Sequence, residues 1–440
     1  MVEELRSLFS SSSSSSSSPQ PLPSLHESSE RWAAILSDAL KREDEKGVED
    51  MLDFFTHECL PQLPSPGRAA LVLDDVFKSY SSTHEKVEIK LCEARALAAY
   101  LESAGSAQAV EGAVRELQQI LQRVMSGSTA VKVDEAIERS LDTYDQRLRP
   151  EDVCFVSRFS RVVVTLCVKI AYLCLSGDRD GNWIDATAKT ITRGSRLLEY
   201  LTPEMSRMRT AHAFLHARVL ECRGDFLRAS KIFFEIAQNE SGPLAAEDSL
   251  KSVVGGFYRN TCDGGMRSPA ESALVCAVLA QPGPERSKML GALRANERLL
   301  EISEQPFFSK ITSSRIARRE DILEFERSFA LLPREVPVFR SAVAQHNLLC
   351  ASRVYMNASF GQLAEIMCIE APEPPLSREE IAEDIAVQMI NDGRLDAEID
   401  QVDSFIFFKG CGSSMPNDFW NDRAQKLCTF IDTLTHPHTD

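Results

Sequence analysis

Patterns that carry chemistry are scarce in this chain of 440 residues. It has 12 cysteines, yet no two stand in a CxxC spacing, which argues against a zinc ribbon or a thioredoxin-type dithiol. There is no GxxxxGK[ST] loop to cradle a phosphate and no GxSxG turn to present a nucleophilic serine. Gly410-Cys411-Gly412 begins like a dinucleotide loop, but the third glycine position is Met415 and no βαβ unit surrounds it. His212 and His216 share a helical face as HAFLH, without the glutamate that the HExxH metalloprotease helix needs as its base, and read as packing or surface histidines. His436-Pro437-His438 is similar to the HxH pair of JAMM metalloproteases, but the two residues after it cannot supply the downstream Ser and Asp, so a frayed tail is expected. No catalytic residue, metal site or cofactor site is therefore expected.

Positive charge is also in deficit. The chain has 49 Lys and Arg against 65 Asp and Glu, a formal charge of −16, which disfavours a large nucleic-acid or anionic-membrane surface. The most apolar run, residues 162–175, holds Lys169 and is shorter than the roughly 20 residues of a bilayer span. It reads as a fully packed helix. The first nine residues lack the basic start and apolar core of an export signal, so an intracellular protein is expected, its cysteines serving as small buried hydrophobes. Apolar residues make up 43% of the sequence, enough for a sizeable core.

What is present is helical period. An unbroken serine run at 10–18 followed by Pro19, Pro21 and Pro23 marks residues 1–28 as a flexible tail. Beyond it Trp32, Ile35, Leu36 and Leu40, then Val48, Met51, Leu52 and Phe55, fall on helix faces. Val87, Leu91, Ala94, Ala98 and Leu101 recur at steps of three and four before Gly105; Val110, Val114, Leu117, Leu121 and Val124 do so before Gly127. Successive amphipathic helices with short breaks predict a right-handed α-solenoid over residues 29–335. Gly224-Asp225-Phe226, Ala229, Phe233 and Ala237 match the second half of a tetratricopeptide-type hairpin; without regular 34-residue copies elsewhere, the repeats are degenerate. Ser268-Pro269-Ala270-Glu271 is a helix start, with a capping Ser and Pro at the first helical position.

After Pro337 the texture changes. Helices are predicted over 342–356 and 360–367, and Ser377-Arg378-Glu379-Glu380 is a capping box that opens a third helix ending at Gly393. Leu395, Ala397 and Ile399 then alternate with Asp396, Glu398 and Asp400, and after a turn near Asp403 comes the apolar run Phe405, Ile406, Phe407, Phe408. Three helices and a two-stranded hairpin predict a winged helix over 336–410. Its third helix sets Glu379, Glu380, Glu383, Asp384 and Asp392 against Arg378 alone, the wrong sign for phosphate backbones, so a winged-helix nucleic-acid binder is the disfavoured rival. The hairpin reads instead as a protein-docking edge, with Phe405–Phe408 as interface residues, or as a local core element. Within residues 411–440, Trp420, Ala424, Leu427, Ile431 and Leu434 are spaced four, three, four, three. That heptad seam packs either on its own domain or in a bundle shared with other chains.

A helical array, a winged helix and a terminal helix in that order resemble the PCI-domain family. Gln345-His346-Asn347-Leu348-Leu349 with CASRVYMNASFGQLAEI after it, and Gln388-Met389-Ile390, Gly393-Arg394 and Ile399-Asp400-Gln401, are similar to the subunit-four branch of the COP-nine signalosome. So are His216-Ala217-Arg218-Val219-Leu220 and Arg286-Ser287-Lys288-Met289-Leu290. The similarity is good over about 205–432; residues 128–200 align poorly and the EAPEPP stretch at 370–375 is extra. The resemblance implies a non-catalytic scaffold in a hetero-oligomer that strips the ubiquitin-like modifier from cullins. Its implied partners are other PCI subunits, a metalloprotease subunit pair and cullin–RING ligases, with neither nucleic acid nor membrane, in cytoplasm and nucleus. It also implies that the winged-helix edge and C-terminal helix are the assembly surfaces. The proteasome-lid PCI subunits share this architecture and are the nearer rival.

Overall fold

A computed structural model of the chain describes residues 85–102, 107–141, 148–177, 183–239, 245–258, 267–296, 306–370 and 377–409, together with Leu52, Thr56, Leu427 and Cys428. The serine-rich stretch, the histidines at 436 and 438 and the glycines at 410 and 412 lie outside these residues. The chain is an all-α array of helices that ends in a winged helix, and its contacts divide it into two compact units: residues 1–224 with 235–269, and residues 225–234 with 270–440.

The first unit contains α1 (Glu85–Glu102), α2 (Ala107–Ser126), α3 (Ser128–Leu141), α4 (Pro150–Gly177), α5 (Ile184–Ser195), α6 (Ser206–Cys222) and, past the unit boundary inside α7 (Phe226–Asn239), α8 (Ala245–Val254). α1 packs on α2, α2 on α3 and α4, α4 on α5, and α6 on α5 and α8. α4 is the hub, touching α2, α3, α5, α6 and α8, so the packing is not strictly nearest-neighbour as in a regular repeat. The helix is also longer than the apolar run that announced it. It begins at Pro150, where the missing proline N–H costs nothing because the first-turn donors have no intrahelical partner. By length and composition alone 152–176 could cross a bilayer, but it is mostly buried here, with Val163, Val164, Cys167, Val168, Ile170, Ala171 and Leu173 closed to solvent.

Lys169, the residue that interrupts the apolar run, is 1% exposed and forms an ion pair with the equally buried Glu93 of α1. Its ammonium also lies 5.9 Å from the centre of the Phe257 ring. An unpaired buried ammonium would be far more costly than this arrangement. His212 of α6 is another buried polar group of the unit. Its Nε2 lies 3.0 Å from the Ile191 carbonyl of α5, and Gly194 leaves it room: a β-carbon there would stand 2.9 Å from the same nitrogen. Burial pushes the His212 pKa down to about 4, against the raising effect of the Ile191 carbonyl. His216, at a ring-centre distance of 6.4 Å, is also shifted down by burial. His212 is thus packed in the interior, and His216 is half-buried beside it.

The second unit starts with the first part of α7, whose Ala229 and Phe233 are fully buried; the turn before it holds Gly224 at φ 81°, a left-handed conformation that suits glycine. Then come α9 (Pro269–Leu279), α10 (Pro284–Arg294), α11 (Pro306–Thr312) and α12 (Arg319–Ser328). Ser230 Oγ donates to the Ala273 carbonyl, 2.7 Å away, tying α7 to α9. Arg286 of α10 is 2% exposed and donates to Ala277 O and Val278 O, at 3.0 and 2.8 Å, at the C-terminal end of α9. A cation there satisfies carbonyls that the helix leaves open and complements its dipole.

The winged helix follows: α13 (Glu335–Ala351), β1 (Asn357–Ser359), α14 (Phe360–Ile366), α15 (Arg378–Asn391), β2 (Ala397–Asp400) and β3 (Phe405–Phe408). Three expectations are corrected. α13 begins at Glu335, upstream of Pro337, because a proline in the first turn removes only a donor that had no partner. It ends at Ala351, and the residues assigned to its last turn lead into a strand. The sheet accordingly has three strands in the order β1-β3-β2, with both pairings antiparallel, so the apolar run Phe405–Phe408 is the middle strand and not an edge.

Candidate protein-docking surface

The winged helix is held by one continuous core: Leu348 of α13, Phe360 and Leu363 of α14, Ala382, Ala386 and Met389 of α15, and Ala358, Ala397, Ile406 and Phe408 of the sheet. Two alanines one turn apart let α15 lie close to α14. At one end Asn347, fully buried, accepts from Ala317 N and donates to Ala317 O and Ile366 O, each at 2.9 Å, and so stitches the start of α12, α13 and α14 together. His346 Nε2 lies 3.0 Å from Arg315 O, and Cys350 Sγ lies 3.4 Å from the same nitrogen. Burial, and then the Arg286 charge, press the His346 pKa down to about 4, while burial lifts the Cys350 thiol to about 11. A thiol held neutral beside a neutral imidazole is a packing pair, not an activated nucleophile.

The strands divide their side chains between two faces. Ala358, Ile406, Phe408, Ala397 and Ile399 point to the core; Asn357, Phe405, Phe407, Glu398 and Asp400 form the outer face. Of the four residues expected to form a partner interface, Ile406 and Phe408 are buried in the core, Phe405 is half-buried, and Phe407 is 44% exposed with its ring 6.5 Å from that of Phe405. Of the four, only Phe405 and Phe407 direct their side chains away from the core.

Backbone pairing fixes what each edge offers. Phe408 N donates to Met356 O and Phe360 N to Ser404 O, so at Asn357 and Ser359 the N–H and C=O of β1 point away from β3. The Ser359 N–H is already taken by Gln362 Oε1 in a capping box that starts α14. On the other side Lys409 N donates to Asp396 O, so Glu398 and Asp400 face β3 while Ala397 and Ile399 direct their N–H and C=O outward. Beside this β2 edge lies an open groove of about 550 Å³ lined by Val387, Glu398, Ile399, Asp400, Gln401 and Phe407. Gln401 donates to Glu383 of α15, and Asp400 Oδ1 accepts from Val402 N and Asp403 N, which fixes the wing. Val402 at its tip is 93% exposed.

Of the heptad seam only Leu427 is described; it is helical and 62% exposed, and Trp420, Ala424, Ile431 and Leu434 lie outside the described residues. The acidic residues of α15 are exposed except for the half-buried Glu383, as the sign of its charge required. Sequence reasoning missed β1 and with it the Ser359–Gln362 box; the S-x-x-Q spacing was the available signal.

Comparison with protein families matches residues 320–410, from the first turn of α12 through β3, to the PCI domain. Beyond that domain the chain is similar to curated proteins named COP9 signalosome complex subunit 4. It is 28% identical to the one from Dictyostelium discoideum over 277 residues, 62% of this chain and 61% of the relative. Identity is 27% over 273 residues with the one from Arabidopsis thaliana, 61% of this chain and 62% of the relative. With the one from Drosophila melanogaster it is 31% over 225 residues, 50% of this chain and 48% of the relative. The match thus spans between about half and three-fifths of each relative.

Proposed function

We propose that this chain is a non-catalytic scaffold subunit of a COP9-type signalosome. In this reading it supports removal of the ubiquitin-like modifier from cullins by a separate metalloprotease subunit and relays engagement of cullin–RING ligases to it. The observation that carries the proposal is a PCI winged helix whose small sheet leaves backbone groups unpaired at its rim, in a chain similar to subunit 4 over three-fifths of its length. A sheet edge of that kind is a template for another chain. The acidic α15, which would be repelled by phosphates, supports protein over nucleic acid as the partner. Other PCI subunits and the metalloprotease pair are the neighbours in this reading, no cofactor is used, and the protein works in cytoplasm and nucleus.

Affinity purification of the tagged full-length chain with mass spectrometry tests this. Recovery of a JAMM metalloprotease with cullins is the expected outcome. Recovery of ATPase-ring subunits would assign the chain to a proteasome lid, and recovery of the chain alone would end the scaffold reading. Replacing Leu427 and Ile431 with Asp is expected to release the chain from that complex while its helical circular dichroism is retained; unchanged co-purification would make the seam internal packing.

A further inference from the structure

The first unit carries a cluster of cations that runs against the charge of the whole chain. Residues 153–209 hold nine Lys and Arg against five Asp and Glu, in a protein of formal charge −16. Arg158 and Arg161 are exposed on α4, Arg193 and Arg196 at the end of α5, and Arg207 in the first turn of α6. Packing brings these three helices together at the middle of α4. Thr165 Oγ1 donates to Arg161 O at 2.8 Å and lies 3.8 Å from Met208 Sδ, the residue after Arg207. Gly194, the residue after Arg193, abuts α4 so closely that a β-carbon there would stand 3.3 Å from Cys167 Cβ. Other surface cations of the unit are paired: Arg139 with Asp152, Arg218 with Glu221 and Arg223 with Asp185. The five arginines of the cluster form no ion pair with a described carboxylate, and the exposed Glu199 beside them in sequence pairs with none of them. Like charges grouped without counter-charges repel one another in the free chain and are relieved by an anion from outside. About one turn before Arg158, Phe155 and Val153 are 36% and 45% exposed and give the cluster an apolar end.

We propose that this arginine cluster is a docking surface for an acidic segment of a partner protein, one that carries apolar side chains among its Asp and Glu. Carboxylates of the segment pair with Arg158 and Arg161 on α4 and with Arg193, Arg196 and Arg207 across the helix junction. The guanidinium fork suits this task, since it meets a carboxylate through two parallel hydrogen bonds. An apolar side chain of the segment lies against Phe155 and Val153. That apolar end favours a protein segment over a free phosphate, which has no use for it. The acid excess of the chain favours a short acidic segment over a nucleic acid, whose long phosphate backbone would meet the repelling charge of the remaining surface. The surface lies wholly within the first unit, and it stands independently of the winged helix and of the scaffold reading.

The test uses the full-length chain and fluorescein-labelled probes followed by fluorescence anisotropy: the peptide Glu-Asp-Leu-Glu-Asp-Leu-Glu-Asp, its counterpart with Ser for Leu, its counterpart with Lys for every acid, and an oligouridine. The acidic Leu peptide is expected to bind roughly tenfold more tightly than the Lys peptide, with the difference shrinking as salt is added. Arg158→Glu with Arg161→Glu should weaken it roughly tenfold. Arg115→Glu with Arg123→Glu on α2 changes the net charge by the same amount at exposed positions outside the cluster and should leave binding unchanged. Phe155→Ser is expected to weaken the Leu peptide roughly threefold and to leave the Ser peptide as it was. Far-UV circular dichroism checks that each variant is folded. If the α4 double variant is not, Arg196→Gln with Arg207→Gln decides, with an expected loss of roughly threefold. Equal binding of the acidic and Lys peptides, or equal weakening by the cluster and α2 variants, overturns the proposal, because only overall charge would then be at work. A Ser peptide bound as tightly as the Leu peptide also overturns it. So does oligouridine bound more tightly than the acidic peptide and lost in the α4 variant, which would assign the cluster to nucleic acid. A dimer of the free chain that Arg158→Glu with Arg161→Glu dissociates overturns it as well, since the occupant would be the chain's own acidic surface.

Discussion

The unit built around α4 and the winged helix solve opposite problems. In the first, polar chemistry is turned inward and satisfied there: Lys169 finds Glu93, and His212 finds the Ile191 carbonyl. In the second, apolar and backbone groups are left facing out, at Phe407, at Val402 and along the outer rim of β2. Burying charge is costly unless the partner is in place, so the first unit depends on both members of each polar pair. An unpaired strand costs little in water and is valuable when another chain arrives, so the second is incomplete where it is useful.

The largest effect that would sharpen this contrast is loss of the buried ion pair. Lys169→Ala leaves the Glu93 carboxylate buried without its ammonium and is expected to cost about 3–5 kcal/mol. Replacing both, as Lys169→Met with Glu93→Leu, should return stability to within about 1 kcal/mol of the wild type or above it, since apolar residues of similar volume remove the desolvation penalty. Urea denaturation followed by circular dichroism measures both. A single variant costing under about 1 kcal/mol would show that water reaches the pair and that the contrast with the winged helix is weaker than drawn.

Acid is expected to weaken both units, chiefly through His212 in the first and His346 in the second. His212 and His346 both have folded pKa values of about 4, below the ordinary 6.5. A histidine depressed in this way is bound to fewer protons in the folded state, so the stability it contributes is whole above pH 6.5 and is lost as the pH falls toward 4. The loss is on the order of 3 kcal/mol for each group. His346→Gln should flatten the pH dependence of unfolding of the second unit between pH 6.5 and 4.5 and leave that of the first unchanged. Hydrogen exchange at Ile406 and at Val168 separates the two units.

Asn347 is the place where the winged helix resembles the first unit, a buried polar group with three hydrogen bonds. Asn347→Ala strands an N–H and two carbonyls and is expected to cost about 2–3 kcal/mol. Asn347→Asp, which keeps the acceptor and loses both donations, should be at least as damaging because it also buries a charge. Thermal unfolding of the two variants checks the order.

The helices were legible because burial on one face writes a period into the sequence, and α15 was the clearest. Its box is present in full: Ser377 Oγ accepts from Glu380 N at 3.1 Å, and Ser377 N donates to Glu380 Oε2 at 2.8 Å. β1 was not legible, since three residues cannot display a period of two and the strand's pairing partner lies about 50 residues away. The sequence of a hairpin shows that neighbours pair; it is silent on which strand a distant segment will join. For that reason Phe405–Phe408 looked like a rim until β1 supplied the other side. Nor could the first turn of α13 be read, because Pro337 stops a helix only when it lies beyond the first turn.

The smallest expected effect bears directly on the two edges. Gln362→Ala removes the side chain that occupies the Ser359 N–H and half of the box that opens α14. The cost in stability is about 0.5–1 kcal/mol, the usual worth of a solvent-exposed cap. The informative change is elsewhere: with that donor released, β1 presents both of its outward N–H groups, and the asymmetry between the edges narrows. Amide exchange at Ser359 should accelerate while that at Ile406, bonded across the β1–β3 ladder, stays slow. If exchange at Ser359 is unchanged, capping of the donor is not what closes that edge, and the asymmetry is set by strand length and groove shape.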